Sequence, residues 1–191
     1  MSGEGHERVS VSTRPRICVV SLTDLSERQI LVGEWMDADR EVDDLKRRIE
    51  AMLARSPSSG DLEWGIWDYD GFAGLPISEA EPLETVSCLA KGIRAHGAAF
   101  AAWAELTCRS LDGLAGFDAA YLGVYETTSD YAARVLGAAE LRDVARRAVP
   151  NDLAAYVSID LEGFARDLEL YGKIAVVDRP GGGVWVFARE H

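Results

Sequence analysis

Groups able to do chemistry are few and scattered. Asp68 and Asp70 stand two apart in LEWGIWDYD (62–70), which alternates as a strand, so both carboxylates leave one face as a general acid–base pair would. Nothing in the sequence around them supplies a pocket or a substrate. His6 and His191 lie in terminal segments, and His96 is alone at the end of a predicted helix. With no G-x-S-x-G beside them, a Ser-His-Asp or Cys-His device lacks its parts. Cys18, Cys88 and Cys108 are odd in number, set among apolar neighbours and without C-x-x-C spacing. They form neither a disulfide framework nor a zinc site, and they fit a reducing cytoplasm. Asp37-Ala-Asp39 opens like a calcium loop, but the sixth and twelfth places hold Val42 and Arg48 where Gly and Glu are required. The triple glycine at 181–183 lies between predicted strands and not before a helix, which makes it a turn and not a phosphate cradle. No catalytic residue, cofactor or metal is expected.

The distribution of acids is more informative. Residues 56–90 contain Asp61, Glu63, Asp68, Asp70, Glu79, Glu81 and Glu84 and no base. Residues 34–44 contain Glu34, Asp37, Asp39, Glu41, Asp43 and Asp44 against Arg40 alone, and residues 110–133 add Asp112, Asp118, Glu126 and Asp130, again without a base. Acids two apart on a strand stand about 7 Å apart, and acids three or four apart on a helix about 5 to 6 Å. Such spacings are comparable to those of the charges on duplex DNA. A solvated acidic surface accounts for the same spacing, so geometry along the chain does not by itself choose between the two.

The elements that position these groups read as α+β. RICVVSL (16–22) and ILVGEW (30–35) are β-branched apolar runs, and TDLSERQ between them is short enough for an antiparallel hairpin link. A helix is expected from about Arg40 to Arg55, with Val42, Leu45, Ile49, Met52 and Leu53 on its apolar face and Asp39 as N-cap. SPSSG (56–60) ends it. In the strand that follows, alternation sets Trp64, Ile66 and Asp68 on one face and Trp67 and Tyr69 on the other. Pro82 opens a helix with Leu83, Val86, Leu89, Ala90 and Ile93 inward and Gly97 at its end; AAFAAWAELTCRS (98–110) supplies a second, and a glycine-punctuated helical stretch follows. Ser129 is expected to cap a helix through DYAARVLGAAEL, and Asp160 to cap LEGFARDLELYG with Leu161, Phe164, Ala165, Leu168 and Tyr171 inward. KIAVVDRPGGGVWVF closes as two strands around a turn. The resulting blocks are a loose tail (1–13), a sheet-plus-helix domain (14–81), a helical middle domain (82–118) and a mixed C-terminal domain (119–191).

Twenty Lys and Arg against 32 Asp and Glu give a net charge of −12 over 191 residues. That surface repels nucleic acid and anionic lipid, leaving cations and basic proteins as partners. No apolar run approaches a membrane span, and MSGEGHERVSVSTRPR has no apolar core of a secretory signal. Charge and motifs therefore leave open a small acidic enzyme using Asp68 and Asp70, an acidic adaptor for some basic DNA-binding protein, and a DNA mimic.

The segments themselves narrow this. RICVVSLTDLS, ILVGEWMDAD, EWGIWDYDGFAGLPISEAEPLETV, YLGVYETTSDYAARVL, SIDLEGFARDLELYG and VWVF occur in the order found in the ArdA family of antirestriction proteins, and together the chain resembles that family over about 14–189. The GIWDYDGFAGL and DLEGFARDLELYG segments are the most specific. The resemblance implies a non-enzymatic homodimer encoded by mobile elements, an elongated row of three small domains imitating B-form DNA. It implies occupation of the DNA groove formed by the specificity and methyltransferase subunits of type I restriction–modification enzymes. It places the self-contact in YLGVYETTSDYAARVL, at Tyr121, Tyr125 and Tyr131. The mimic surface would be carried by the acids named above apart from Glu41. Two departures are visible: Trp67 stands where many relatives have a histidine, and Arg142, Arg146, Arg147 and Lys173 add positive charge to the C-terminal block.

Overall fold

The computed structural model describes residues 14–58, 60–150, 152–153 and 156–189. The expected tail (1–13) lies outside the described residues, as do His6 and His191. The fold is α+β, with helices alongside two three-stranded antiparallel sheets, and the chain divides into two compact units, Met1–Ala115 and Gly116–His191. The sheet-plus-helix segment (14–81) and all but the last three residues of the helical-middle segment (82–118) fall within the first unit.

In the first unit, β1 (Arg16–Ser21) is the central strand, between β2 (Gly33–Asp37) and β3 (Trp64–Asp70). Its alternation buries Ile17 and Val19, and the helix α2 (Val42–Leu53) buries Leu45, Ile49 and Met52. Full burial of such side chains is worth about 1.5–3 kcal/mol each relative to exposure. Gly33 is required where β2 meets β1: a Cβ there would lie 2.8 Å from Val20 Cγ1 and 2.9 Å from the Val19 carbonyl oxygen.

The expected hairpin link is instead a helix, α1 (Leu22–Arg28). Ser21 Oγ accepts the Asp24 N–H at 3.2 Å, and Gln29 closes the helix in the left-handed region at φ 55°. The buried Asp24 accepts a 2.6 Å bond from Ser58 Oγ, which ties α1 to the chain after α2. Hydrogen bonds from the Ser56 and Ser58 hydroxyls hold its carboxyl below the usual range, against the effect of burial. With residues 22–28 helical, β2 begins at Gly33 and not at Ile30, and Ile30 and Leu31 are exposed. Helix α2 starts later than expected: Glu41 holds the N-cap position without a side-chain bond, and Asp39 is not a cap.

Strand β3 starts at Trp64 and contains a bulge. Cys18 pairs with Asp68 while its neighbour Val19 pairs with Ile66, leaving Trp67 as the extra residue. Ile66 therefore shares the face of buried Val19, and Asp68 shares the opposite face with Cys18. The expected grouping of Ile66 with Asp68 fails at this residue.

Helix α3 (Leu83–His96) follows Pro82, ends at Gly97, and buries Leu83, Val86, Leu89, Ala90 and Ile93 as expected. Helix α4 (Ala98–Leu106) stops short of residue 110, because Cys108 and Arg109 adopt φ of 50° and 58°. Trp103 Nε1 donates to the Gly113 carbonyl at 2.8 Å and fixes α5 (Leu111–Ala115).

In the second unit, α6 (Phe117–Ala120) leads into β4 (Tyr121–Tyr125), and the sheet order is β4-β6-β5, with β5 Ile174–Asp178 and β6 Val184–Ala188. Val186 and Phe187 on the central strand are fully buried. Helix α7 (Thr128–Leu136) is capped by Thr127, not Ser129: Thr127 and Asp130 form a reciprocal capping box. The single helix expected through residue 141 breaks at Gly137, which is left-handed at φ 57°, and α8 (Ala138–Ala148) follows. Asp160 Oδ1 accepts the Gly163 N–H at 2.7 Å and caps α9 (Leu161–Leu170), which packs on α7. Ala165 is buried, while Tyr171, expected inward, is exposed.

Candidate protein-docking surface

The sixteen carboxylates singled out in the sequence divide into groups. Seven are held by bases within the first unit. Glu34 pairs with Arg48 at 3.4 Å and Arg55 at 2.6 Å. Asp37 pairs with Arg14 at 3.1 Å and Arg40 at 3.6 Å. Asp44 binds Arg40 at 2.8 Å and Arg47 at 3.2 Å, and the Arg40 hydrogen bond holds its carboxyl below the ordinary range. Asp70 lies 3.4 Å from Arg16, Glu81 3.7 Å from Arg109, and Glu84 3.2 Å from Lys46. The Glu84 carboxyl is also lowered, first by its own backbone N–H and then by Lys46.

Asp39 is the most enclosed of the seven, with its side chain 1% exposed between Arg14 and Arg94. Burial alone raises its pKa, but the hydrogen bonds and charges of Arg14 and Arg94 outweigh burial and leave it lowered. Residues 14, 39 and 94 are thereby fastened together, joining the start of β1, the loop before α2, and α3.

Seven others are placed differently. Asp43, Asp61, Glu63, Asp68, Glu79, Asp112 and Glu126 are exposed and have no ion pair among the described residues. Five of them come from the first unit's stretch between residues 43 and 79, and Asp112 from α5. Asp118 is exposed, and Asp130 is exposed while serving the α7 cap. The base-free stretch 56–90 thus retains most of its negative charge uncompensated, whereas the richer cluster at 34–44 is mostly neutralised by arginines from elsewhere in the chain.

Asp68 and Asp70 leave the same sheet face, opposite Cys18 and Arg16. Asp68 accepts the N–H of Tyr69 at 2.8 Å and Asp70 is paired with Arg16, on a face where Trp35 is 43% exposed; the bulge residue Trp67, next to Asp68 in sequence, is 57% exposed. Burial, then the nearby Asp68 charge, pushes the Cys18 thiol up. The residues that sequence reasoning missed are Trp35, Trp67 and the arginines that sort the acids. Two tryptophans in strands predicted to be half-buried were the available signal. Among the described residues no His, Cys, Asp and Glu cluster could hold a metal ion, and no helix is long and apolar enough to cross a membrane.

Tyr121, Tyr125 and Tyr131 all have partners within the unit. Tyr121 stacks on Phe117 at 5.0 Å and meets Phe187 at 5.6 Å, and Tyr125 meets Tyr131 edge-on at 5.2 Å. Tyr125 Oη donates to the Leu122 carbonyl at 3.2 Å, and burial raises the Tyr131 phenol, aided by Tyr125. Each ring stays partly accessible. Tyr121 and Tyr125 bound β4, which lies at the edge of its sheet and carries Val124, 45% exposed, while Tyr131 belongs to α7.

An α+β chain with a partly uncompensated acidic surface defines, in the first instance, a protein suited to basic partners. Comparison with family models is more specific: residues 17–181 match the model described as antirestriction protein (ArdA). The chain belongs to the ArdA family of antirestriction proteins. No curated protein matches it significantly.

Proposed function

We propose that the protein is a non-enzymatic DNA mimic that occupies the DNA-binding groove of type I restriction–modification enzymes in the cytoplasm, shielding foreign DNA. The observation that carries this reading is the set of exposed, unpaired carboxylates between residues 43 and 79, in a member of an antirestriction family. Arginines and lysines that meet phosphates in the groove would meet these carboxylates instead. Long-range attraction would speed the encounter. No base edge is offered, so inhibition is independent of the target's recognition sequence.

The working form is a homodimer joined through the second unit. The edge position of β4 supports this, since its outer side pairs with no strand among the described residues and Val124 is exposed between Tyr121 and Tyr125. An uncovered edge is a template for pairing with another chain.

The test is titration of a purified methyltransferase core, with duplex DNA as competitor. Stoichiometric binding, displaced by duplex and weakened by salt, is expected. Substoichiometric inhibition, or cleavage or modification of DNA or enzyme, would exclude mimicry.

A further inference from the structure

The exposed face of the first unit's sheet carries more than charge. One row across it reads Trp35, Cys18, Asp68, and the next Asp37, Arg16, Asp70. Within these rows the Arg16 guanidinium lies 5.3 Å from the centroid of the Trp35 ring, and its Nη2 is 3.4 Å from Asp70 Oδ2. The sheet thus already holds one guanidinium on an indole face and against a carboxylate. Trp67 and Asp68, adjacent in sequence, supply an indole and a carboxylate with no cation on either among the described residues. The bulge throws Trp67 out of the ladder, it is 57% exposed, and it has no ring or cationic partner among the described residues. Its neighbour Asp68 is exposed and has no ion pair, in a stretch (56–90) that contains no base.

We propose that Trp67 and Asp68 receive an arginine side chain of the bound DNA-reading protein, the guanidinium stacking on the indole while it hydrogen-bonds the carboxylate. This rests on the mimic reading for the identity of the partner and adds the contact by which one of its side chains is held. Arginine is the fitting occupant, because its guanidinium is planar, weakly hydrated and stacks on aromatic faces, whereas the lysine ammonium is a strongly hydrated point charge. Carboxylates alone favour arginine only through the bidentate fit of its guanidinium, a preference that substitution of Trp67 leaves in place. Stacking also differs from charge attraction in surviving salt, since screening acts on exposed charges.

The experiment titrates the full chain with nona-arginine and nona-lysine peptides, and separately with the methyltransferase core, at low and high salt. Circular dichroism confirms that each variant is folded. Trp67→Ala is expected to weaken the arginine peptide and the core by about five- to thirtyfold, to leave the lysine peptide within about twofold, and to keep the salt dependence unchanged. Trp67→Phe should recover part of the loss and Trp67→Leu none. Asp68→Asn should weaken both peptides, most at low salt. If folded Trp67→Ala binds both peptides and the core as the parent does, the inference is overturned while the mimic reading stands. If the arginine preference depends on Trp67 but the parent chain fails to bind the core, the mimic reading falls and the arginine site stands.

Discussion

Two sets of seven carboxylates allow charge to be separated from arrangement. Changing the unpaired set (Asp43, Asp61, Glu63, Asp68, Glu79, Asp112 and Glu126) to the matching amides takes the net charge from −12 to −5. Changing the paired set (Glu34, Asp37, Asp39, Asp44, Asp70, Glu81 and Glu84) makes the same change in net charge. An exposed carboxylate meeting a base is worth about 0.2–1 kcal/mol, so losing seven removes roughly 1.5–7 kcal/mol of binding if all seven are engaged. That corresponds to a loss of at least tenfold in affinity for the methyltransferase core, at about 1.4 kcal/mol per factor of ten. The unpaired-set variant should melt like the parent, since none of its groups is tied into the fold by an ion pair. The paired-set variant should melt much earlier, because it strands Arg14, Arg16, Arg40, Arg48, Arg55 and Arg94 without their carboxylates. Calorimetric titration at low and high salt, beside scanning calorimetry, reads both quantities. Parental affinity in a folded unpaired-set variant would refute uncompensated surface charge as the basis of binding.

Other outcomes follow from single residues. Asp39→Asn should cost about 1–3 kcal/mol, because it weakens charged hydrogen bonds to Arg14 and Arg94 at a side chain 1% exposed, with the figure reduced by the partial exposure of both arginines. Since the Asp39 pKa is lowered on folding, its contribution is fully present above the ordinary carboxylate value and disappears as pH falls through the lowered one. The difference between parent and variant, followed by denaturant melts, should therefore be constant at neutral pH and shrink in acid. Thr127→Ala removes the α7 capping box and should lower stability by about 0.5–2 kcal/mol, read as an earlier melt of the second unit. Val124→Lys places a charge on the exposed β4 edge and should shift the sedimentation coefficient from dimer to monomer; an unchanged dimer would move the self-contact away from β4.

Much of the architecture was legible where local signals agree. Strand β1 follows from its β-branched run, α3 from Pro82, Gly97 and a clean apolar period, and α9 from Asp160. Misreadings arose where one residue redirects the chain. The segment after Ser21 is polar enough to pass for a loop, yet Ser21 caps it, and buried Asp24 anchors it through Ser58, which is 34 residues away in sequence. The bulge at Trp67 has no signature within β3 itself, because it exists only in the pairing with β1. Gly137 reads equally as a tolerated helical glycine until its left-handed backbone is seen. The acids could be counted but not sorted, since the bonds of Asp39 reach across 25 and 55 residues to Arg14 and Arg94.

The fastening of residues 14, 39 and 94 also constrains how this lineage can change. At Asp39, a switch to a neutral or basic residue would loosen the scaffold before it altered any encounter with a target, so selection on that position is chiefly selection for folding. At positions such as 61, 63 and 79 the reverse holds, and sequence there is free to track whichever basic partner the surface meets. Adaptation to a new partner should leave its footprint in the second group and bypass the first.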